Sequence, residues 1–311
     1  MAAVALSKKL HREIHKLVAA GLSHSAIARK LQIDRGTVAH YARVIVPAEP
    51  TPTKAGSDLP VPHPPRRLDY PLTTAGNWLI ISDLHIPFHD LPTIRAAFAE
   101  AKRRGCVGAI FNGDVMDCHN LSRFDKDPTK PKIQAEIEAG RQFVAWARKQ
   151  LPKAKIVWKE GNHEERLTAY LSANAAALVG LDVLEWASLM HLDTHGIEYV
   201  THRMRIDLGK LPVVHGHEFF RGFAPPVNPA RGLFLKAKSP AICGHHHQTS
   251  EHRERDIKGK EIATWTLGCA CELSPDYGRF SNWNHGFAFV DLASDGTYVV
   301  DNLTMRGGKI K

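Results

Sequence analysis

The segment WLIISDLH, residues 78–85, decides the fold class of this chain. Its first four residues form a continuous apolar run, which is typical of a strand buried on both faces. Ser82, Asp83 and His85 follow directly, so we expect them at the carboxyl end of that strand. In α/β proteins this is the edge of the sheet where ligands bind. The segment therefore predicts a buried sheet with a polar site at one edge.

Four further segments repeat this arrangement, with metal-ligand side chains after an apolar run. In chain order they are Gly113-Asp114-Val115-Met116-Asp117, Gly161-Asn162-His163-Glu164, His215-Gly216-His217 and Gly244-His245-His246-His247. Carboxylates and imidazoles clustered in this way are typical ligands of two-metal sites for phosphoryl chemistry.

The elements around these segments indicate a layered α/β architecture. Strands and helices alternate at first, and later segments are richer in strand. The predicted strands are 78–82, 107–111, 156–158, 206–208, 211–214, 241–243, 261–267, 287–291 and 298–301, and the predicted helices are 91–104, 133–150 and 166–179.

The order DxH, GDxxD, GNHE, HG and GHxH resembles the calcineurin-like metallophosphoesterase family from Trp78 to Asp301. The resemblance implies a β-sandwich flanked by helices, in four αββα layers, with a dinuclear centre in its loops. It places Asp114 between two ions. It also implies two ligand sets that share Asp114: Asp83, His85 and His247 for the first ion, and Asn162, His215 and His245 for the second.

The residues give independent reasons for parts of this assignment. Two close cations need a shared anionic ligand, and a carboxylate is the natural bridge. Alternate residues of an extended segment project the same way, so His245 and His247 are expected to reach the metals while His246 points away. The choice of His215 over His217 rests on the HG signature, and the other assignment stays open.

The mixed nitrogen and oxygen ligands favour Mn²⁺ first, with Fe²⁺, Zn²⁺ or Ni²⁺ as alternatives, over Ca²⁺. A hydroxide that bridges the two ions is the expected nucleophile for in-line attack on phosphorus. By the resemblance, His163 carries no metal and donates a proton to the leaving oxygen. Asp117 is expected to hydrogen-bond His163, with a loop-capping carboxylate as its alternative role. Arg166 is expected either to contact the substrate phosphate or to form a surface ion pair.

The aromatic-rich stretch before the last strands contains Tyr277, Phe280, Trp283 and His285. It is expected either to wall the cleft and stack on a base, or to pack in the core.

Residues 1–46 are predicted to form a small all-α domain. The part from Gly21 to Arg43 resembles the helix-turn-helix of resolvases, transposases and bacterial regulators. In such a unit the recognition helix lies in the major groove, and the residues expected to face DNA are Arg35, Thr37, His40 and Arg43. Eight basic against two acidic residues leave a surplus of six positive charges here, out of a net +9 for the chain. The alternative is a three-helix bundle that binds protein.

Residues 47–74 are rich in proline and predict a semi-rigid linker, which leaves 75–311 as the phosphoesterase domain. The five cysteines include no CxxC pair, and no apolar run approaches the length of a membrane span. We therefore expect a protein of the reducing cytoplasm, in a bacterial cell or a phage-infected host, with nucleic acid as its partner and no membrane contact. The sequence contains no recognisable pattern for self-association, so the oligomeric state stays open.

Three functions are consistent with these features. The leading one is a metal-dependent phosphodiesterase or nuclease acting on or near nucleic acid, as the pairing of the two parts resembles phage and prophage proteins. The first alternative is a phosphomonoesterase of the protein Ser/Thr phosphatase type. The second is a DNA-binding regulator whose metal domain is not catalytic.

Overall fold

The computed structural model describes residues 10, 13–14, 16–17, 24–33, 38, 68–123, 127–219, 227–274 and 281–311. The chain separates into two compact units, residues 1–64 and 65–311. Among the described residues, no helix is both long and apolar enough to cross a lipid bilayer.

In the first unit, helix α1 spans His24–Leu31. Its Ile27 is fully buried in an apolar cluster with Ile14, Leu17 and Val38. The four residues expected to face DNA (Arg35, Thr37, His40 and Arg43) lie outside the described residues, so the helix-turn-helix stays a prediction.

The second unit contains two β-sheets. The strands of the first sheet, in chain order, are β2 Gly76–Ile81, β3 Gly108–Asn112, β4 Lys155–Lys159, β5 Ile197–Val200, β11 Gly286–Leu292, β12 Tyr298–Arg306 and β13 Lys309–Ile310. They lie side by side in the order β13-β12-β11-β2-β3-β4-β5. The strands of the second sheet are β1 Leu68–Leu72, β6 Met204–Leu208, β7 Leu211–Val214, β8 Ala241–Cys243, β9 Ser250–Arg255 and β10 Glu261–Thr266. Their order is β1-β6-β7-β8-β10-β9.

The helices of this unit are α2 Leu91–Arg103, α3 Ile133–Gln150, α4 Asn162–Asn174, α5 Trp186–Leu189 and α6 Pro229–Ala237. One apolar cluster lies between the sheets and contains Trp78 and Ile110 from the seven-stranded sheet and Ile206 and Trp265 from the six-stranded one. A second cluster packs α2 and α3 against the seven-stranded sheet. Leu233 of α6 packs against β8. The prediction of a mixed α/β fold is confirmed, with two sheets between helices.

Strand β1 changes one predicted boundary. It lies within the segment assigned to the linker, so regular structure begins at Leu68, before residue 75. Pro71 cannot donate to a sheet, but β1 pairs only with β6, at the edge, where a missing donor is tolerated.

The strand directions bring the ligand-bearing segments to one place. Strands β2, β3 and β4 are mutually parallel, and so are β7 and β8 in the other sheet. The Asn112 side chain, at the end of β3, donates to the carbonyl oxygen of Val214 in β7 at 2.8 Å. The buried ammonium of Lys159 lies 3.0 Å from the Glu218 carboxylate. These contacts join the carboxyl ends of strands from both sheets.

Candidate metal centre

The loops that follow these strands turn sharply. Five of the predicted ligand residues have left-handed backbone: Asp83 (φ 56°), His85 (48°), Asp114 (50°), His245 (69°) and His247 (55°). Such conformations are costly for non-glycine residues and cluster at functional sites. The expected extended geometry of residues 245–247 is therefore wrong, because a turn and not strand alternation directs the side chains of His245 and His247.

Hydrogen bonds between loops stabilise these conformations. The amide of His85 donates to the carbonyl oxygen of Asp114 at 3.0 Å. The amide of His245 donates to Asp83 Oδ2 at 2.9 Å. Gly113 has a φ of 83°, and a side chain there would overlap the ring of His215, so this position requires glycine.

Asp114 lies at the centre of the cluster and is almost fully buried. Its Oδ2 is 3.2 Å from His215 Nε2, 3.9 Å from His85 Nε2 and 3.8 Å from His163 Nε2. A single carboxylate oxygen thus faces imidazoles from three different segments, the loops at His85 and His215 and the first turn of α4 at His163.

The side chains predicted for the first ion lie close to one another. The Nε2 atoms of His85 and His247 are 3.2 Å apart, and His247 Nε2 is 3.2 Å from Asp83 Oδ1. The other ring nitrogen of His85 faces Asp117 Oδ1 at 3.1 Å. A carboxylate partner on Nδ1 leaves Nε2 free to bind a metal.

The side chains predicted for the second ion also lie close to one another. His215 Nε2 is 3.2 Å from Asn162 Oδ1. The Nδ1 of His215 donates to the Asn112 carbonyl at 2.7 Å, which leaves Nε2 as the ligand atom. Donor atoms of Asp114, His215 and His245 lie within 4.8 Å of one another.

His217 lies outside this set. Its Nε2 contacts the carboxylate of Glu165 at 2.6 Å. The structure therefore brings His215, and not His217, to the Asp114 carboxylate.

Electrostatics show that the cluster suits cations. Burial alone would raise the pKa of Asp114, but the imidazoles of His215 and His163 outweigh it and hold that pKa well below its usual range. Although burial lowers the pKa of an imidazole, Asp114 raises that of His215 to about 10, and Asp83 raises that of His247 to about 10. The carboxylates thus attract positive charge strongly, and divalent ions would supply it. The donor set fits divalent metal ions.

Glu164 is a residue whose role the GNHE motif does not reveal. Its fully buried carboxylate accepts hydrogen bonds from the amides of Asp114 (3.0 Å), Met116 (2.9 Å) and Gly161 (2.8 Å). Burial and the nearby Asp114 raise its pKa to about 7. Glu164 therefore fixes the Asp114 loop against the first turn of α4.

His163 is held beside Asp114 by two hydrogen bonds. Its amide donates to Asp114 Oδ1 at 2.9 Å, and its Nδ1 donates to the carbonyl oxygen of Asp117 at 2.7 Å. The Asp117 carboxylate is 3.5 Å from that same Nδ1 and closer to His85. Asp117 thus orients two imidazoles, where the sequence predicted one.

Arg166 faces the centre and not a surface carboxylate. Its guanidinium donates to the Asp117 carbonyl at 2.9 Å and to His163 Nε2 at 2.8 Å. This places a cation directly beside the predicted proton donor.

Two further residues of the centre were not predicted. Glu218 accepts hydrogen bonds from the amides of His215 (2.9 Å) and Gly216 (2.5 Å), and a carboxylate three residues after His215 was the available signal. Cys271, which was not expected near the ions, forms a group of potential ligands with His85 and His247.

The fold and this cluster define a class of protein, a metal-dependent phosphoesterase. Residues 77–268, more than half of the chain, match the calcineurin-like phosphoesterase family. The chain belongs to that family, whose members use divalent metals.

Similar proteins include two phage proteins. The chain is 25% identical over 245 residues to the Gene 54 protein of Mycobacterium phage L5, a match that covers 74% of this chain and 94% of that protein. The Gene 54 protein of Mycobacterium phage D29 is 23% identical over 243 residues, with the same coverage.

Solved structures that match part of the chain include a dimetal phosphatase from Danio rerio, at 14% identity and a TM-score of 0.34. That match covers 73% of this chain and 96% of the phosphatase. The phosphoesterase Yfce from E. coli is 16% identical with a TM-score of 0.34, and the match covers 74% of this chain and 100% of Yfce.

Proposed function

We propose that this protein is a dinuclear phosphodiesterase that cleaves nucleic acid or nucleotides derived from it. The observation that carries the proposal is the position of Asp114. Its Oδ2 lies 3.2 Å from His215 Nε2 and 3.9 Å from His85 Nε2, and each of these imidazoles has its Nδ1 held by a fixed acceptor. A pair of cations requires a carboxylate that is shared between the two groups of ligands.

Each ion would have its own ligands besides Asp114. Asp83, His85 and His247 would hold the first ion, and Asn162, His215 and His245 the second. Nitrogen and oxygen donors of this kind suit Mn²⁺ first, then Fe²⁺, Zn²⁺ or Ni²⁺. When bound, two divalent ions activate water for attack and neutralise charge on the phosphate.

The protein's own residues would position the ester and move the proton. His163 faces the centre and would protonate the leaving oxygen through Nε2. The Asp117 carbonyl holds its Nδ1 proton, which fixes the direction of Nε2. Arg166 would turn from His163 to a phosphate oxygen when substrate binds.

The charge distribution supports nucleic acid as the substrate. The chain carries a net charge of +9, and six of those positive charges belong to the surplus in residues 1–46. In this proposal the first unit binds DNA through Arg35, Thr37, His40 and Arg43, and residues 47–67 tether it to the enzyme.

The proposal also includes the setting in which the protein acts, and the relatives and the cysteines support it. The similar proteins of two mycobacteriophages support a function in phage or prophage biology. All five cysteines are free thiols, which supports a reducing compartment such as the cytoplasm.

Chromogenic esters test the reaction class. With Mn²⁺ present, we expect turnover of bis(4-nitrophenyl) phosphate and little turnover of 4-nitrophenyl phosphate. Turnover of the monoester alone would contradict the proposal and favour a phosphomonoesterase. The absence of turnover with both esters, together with tight binding to duplex DNA, would favour a regulator.

One observation favours the phosphomonoesterase as the second candidate. The Arg166 guanidinium lies 2.8 Å from His163 Nε2, and a cation at that place matches the two negative charges of a phosphate monoester. The ratio of the two turnover rates therefore decides between the candidates.

A further inference from the structure

A cavity of about 440 Å³ is lined in part by Trp283, whose ring contacts the predicted metal ligand His247. Its lining includes Trp283, Arg306, Gln248 and Asn282. This volume is within the range of about 300–1,000 Å³ that small-molecule sites occupy. None of these four residues belongs to the centre described above.

Trp283 connects the cavity to the centre. Its ring packs against the imidazole of His247 with a centroid distance of 4.0 Å and an interplanar angle of 58°. The amide of Asn284 donates to the carbonyl oxygen of His247 at 2.9 Å. A molecule in the cavity would therefore lie one aromatic ring away from a predicted metal ligand. The other two aromatic residues of this stretch, Tyr277 and Phe280, lie outside the described residues.

Strand β12 forms another wall of the cavity. The amide of Met305 donates to the carbonyl oxygen of His285 at 2.9 Å, which holds the end of β12 beside the Trp283 segment. Arg306 is the next residue and is exposed. The arginine is thus placed by backbone pairing and not by a flexible loop.

The charge of the lining favours an anion. Arg306 has no carboxylate partner among the residues described in this unit, and the described lining includes no acidic side chain. The amides of Gln248 and Asn282 add donors and acceptors that suit the edge of a planar base. An indole face beside an arginine is the combination that binds a base together with its phosphate.

We propose that this cavity is a nucleotide subsite of the enzyme. The base next to the scissile phosphate stacks on Trp283, and the following phosphate pairs with Arg306. This inference rests on the proposed function and deepens it, because it names a nucleoside diester as the preferred substrate. It also gives Trp283 a role in recognition.

Three diesters that share the same leaving group separate the contribution of the base from that of the following phosphate. They are methyl 4-nitrophenyl phosphate, thymidine 5′-(4-nitrophenyl phosphate), and the latter compound with an added 3′-phosphate. We expect kcat/KM to rise along the series. Trp283→Leu should remove roughly tenfold of the gain from the thymidine, since stacking on an aromatic ring contributes about this much. Arg306→Gln should remove the gain from the 3′-phosphate.

A conservative variant and a control variant show whether the roles of Trp283 and Arg306 are specific. Trp283→Phe keeps an aromatic face and should restore most of the thymidine preference. Arg255→Gln removes an exposed arginine of β9 and should leave all three rates unchanged. Metal content is measured for each variant because Trp283 touches His247. If Trp283→Leu binds less metal, the thymidine preference of Trp283→Phe is used instead to test the stacking role.

Binding of thymidine 3′,5′-bisphosphate, measured calorimetrically with a metal chelator present, tests the subsite without turnover. We expect Trp283→Leu and Arg306→Gln each to raise Kd by roughly tenfold. Hydrolysis of all three diesters at equal rates, with Kd unchanged in the variants, would overturn the subsite and leave the proposed function intact. Binding that depends on Trp283 without any hydrolysis would support the subsite and contradict the proposed function.

Discussion

The guanidinium of Arg166 donates a hydrogen bond to Nε2 of His163 at 2.8 Å. Because a guanidinium can only donate, this ring nitrogen must be the acceptor, and the ring proton lies on Nδ1, facing the Asp117 carbonyl. In that state His163 has no proton on Nε2 to give to a leaving group. In the proposed mechanism the pair must therefore separate before His163 can protonate the leaving group, so Arg166 would take part in the catalytic cycle.

Replacing Arg166 tests this relationship. Arg166→Met should lower kcat/KM for a diester by roughly 10- to 100-fold, the value of one hydrogen bond to a charged group. Metal content should stay unchanged, because Arg166 contacts none of the predicted ligands. Arg166→Lys keeps the charge without the planar fork and should give an intermediate rate. Equal rates in Arg166→Met and the wild type would show that this hydrogen bond has no part in the reaction.

Asp114→Asn tests whether one carboxylate serves two ions. An amide keeps the oxygen that accepts from the His163 amide but removes the charge that both ions share. We expect the metal content to fall and kcat to drop by more than roughly 100-fold, since even outer partners of metal ligands contribute 10- to 100-fold. Elemental analysis and diester hydrolysis measure the two effects.

The matched control for this change is Asp291→Asn. Asp291 is exposed on β11 and pairs with Asn77 near the start of β2, at the end of the sheet away from the centre. It should keep both metal and activity. If Asp114→Asn retained two ions per chain, the shared carboxylate would be refuted.

Asp117 should act mainly through His85. Its carboxylate is 3.1 Å from His85 Nδ1, and removing such a partner weakens metal binding by about 10- to 100-fold. We expect Asp117→Ala to raise the dissociation constant for Mn²⁺ by that amount, and Asp117→Asn, which can still accept the hydrogen bond, to raise it less. A change in kcat with no change in metal affinity would place the role of Asp117 at His163 alone.

The sequence predicted well those elements whose burial is visible in their composition. Helix α3 was predicted with the observed bounds, Ile133–Gln150, and the apolar runs that became β2, β3 and β4 were all identified. Strand β9, SEHRER, was missed because it is largely exposed and polar, and only its pairing with β10 makes it a strand. Helix α6 was missed although Asn228 is a clear N-cap followed by proline.

The candidate site also contains features that the sequence predicts and features that depend on contacts distant in sequence. Residue types and order predicted which side chains converge, because the carboxyl ends of parallel strands meet at one edge. The start of α4 was expected at Arg166, but the helix begins at Asn162 because Glu164 caps it through the Gly161 amide. The left-handed turns at residues 83 and 85 depend on hydrogen bonds to the loop at residues 113–114, which is distant in sequence. Such hydrogen bonds cannot be predicted from local patterns.

Glu136 should make the stability of the protein depend on pH. Burial, with a smaller contribution from Asp117, raises the pKa of this carboxyl from 4.5 to about 7. The folded state therefore holds a proton that the unfolded state has released. Stability is expected to fall as the pH rises from about 4.5 to 7, by on the order of 3 kcal/mol.

Glu136→Gln removes this proton and keeps an oxygen for the amide of Cys118. Relative to the wild type, the variant should gain stability as the pH rises through that window. Urea unfolding at pH 5 and pH 8, with a chelator present in both, gives the difference. Glu138→Gln, a change on the exposed face of the same helix, is the control. Parallel stability curves for Glu136→Gln and the wild type would contradict the assignment.

The predicted DNA-binding residues can be separated from catalysis by salt dependence. Replacing both Arg35 and Arg43 with alanine should weaken binding to duplex DNA and reduce the slope of log K against log salt by about 0.9 for each phosphate that the variant no longer neutralises. Hydrolysis of bis(4-nitrophenyl) phosphate should not change, because this small diester needs only the second unit. Arg255→Ala is the matched control for removal of an exposed arginine. Asp114→Asn should bind DNA like the wild type, and weaker DNA binding in that variant would show that the metal centre, and not the first unit, holds the nucleic acid.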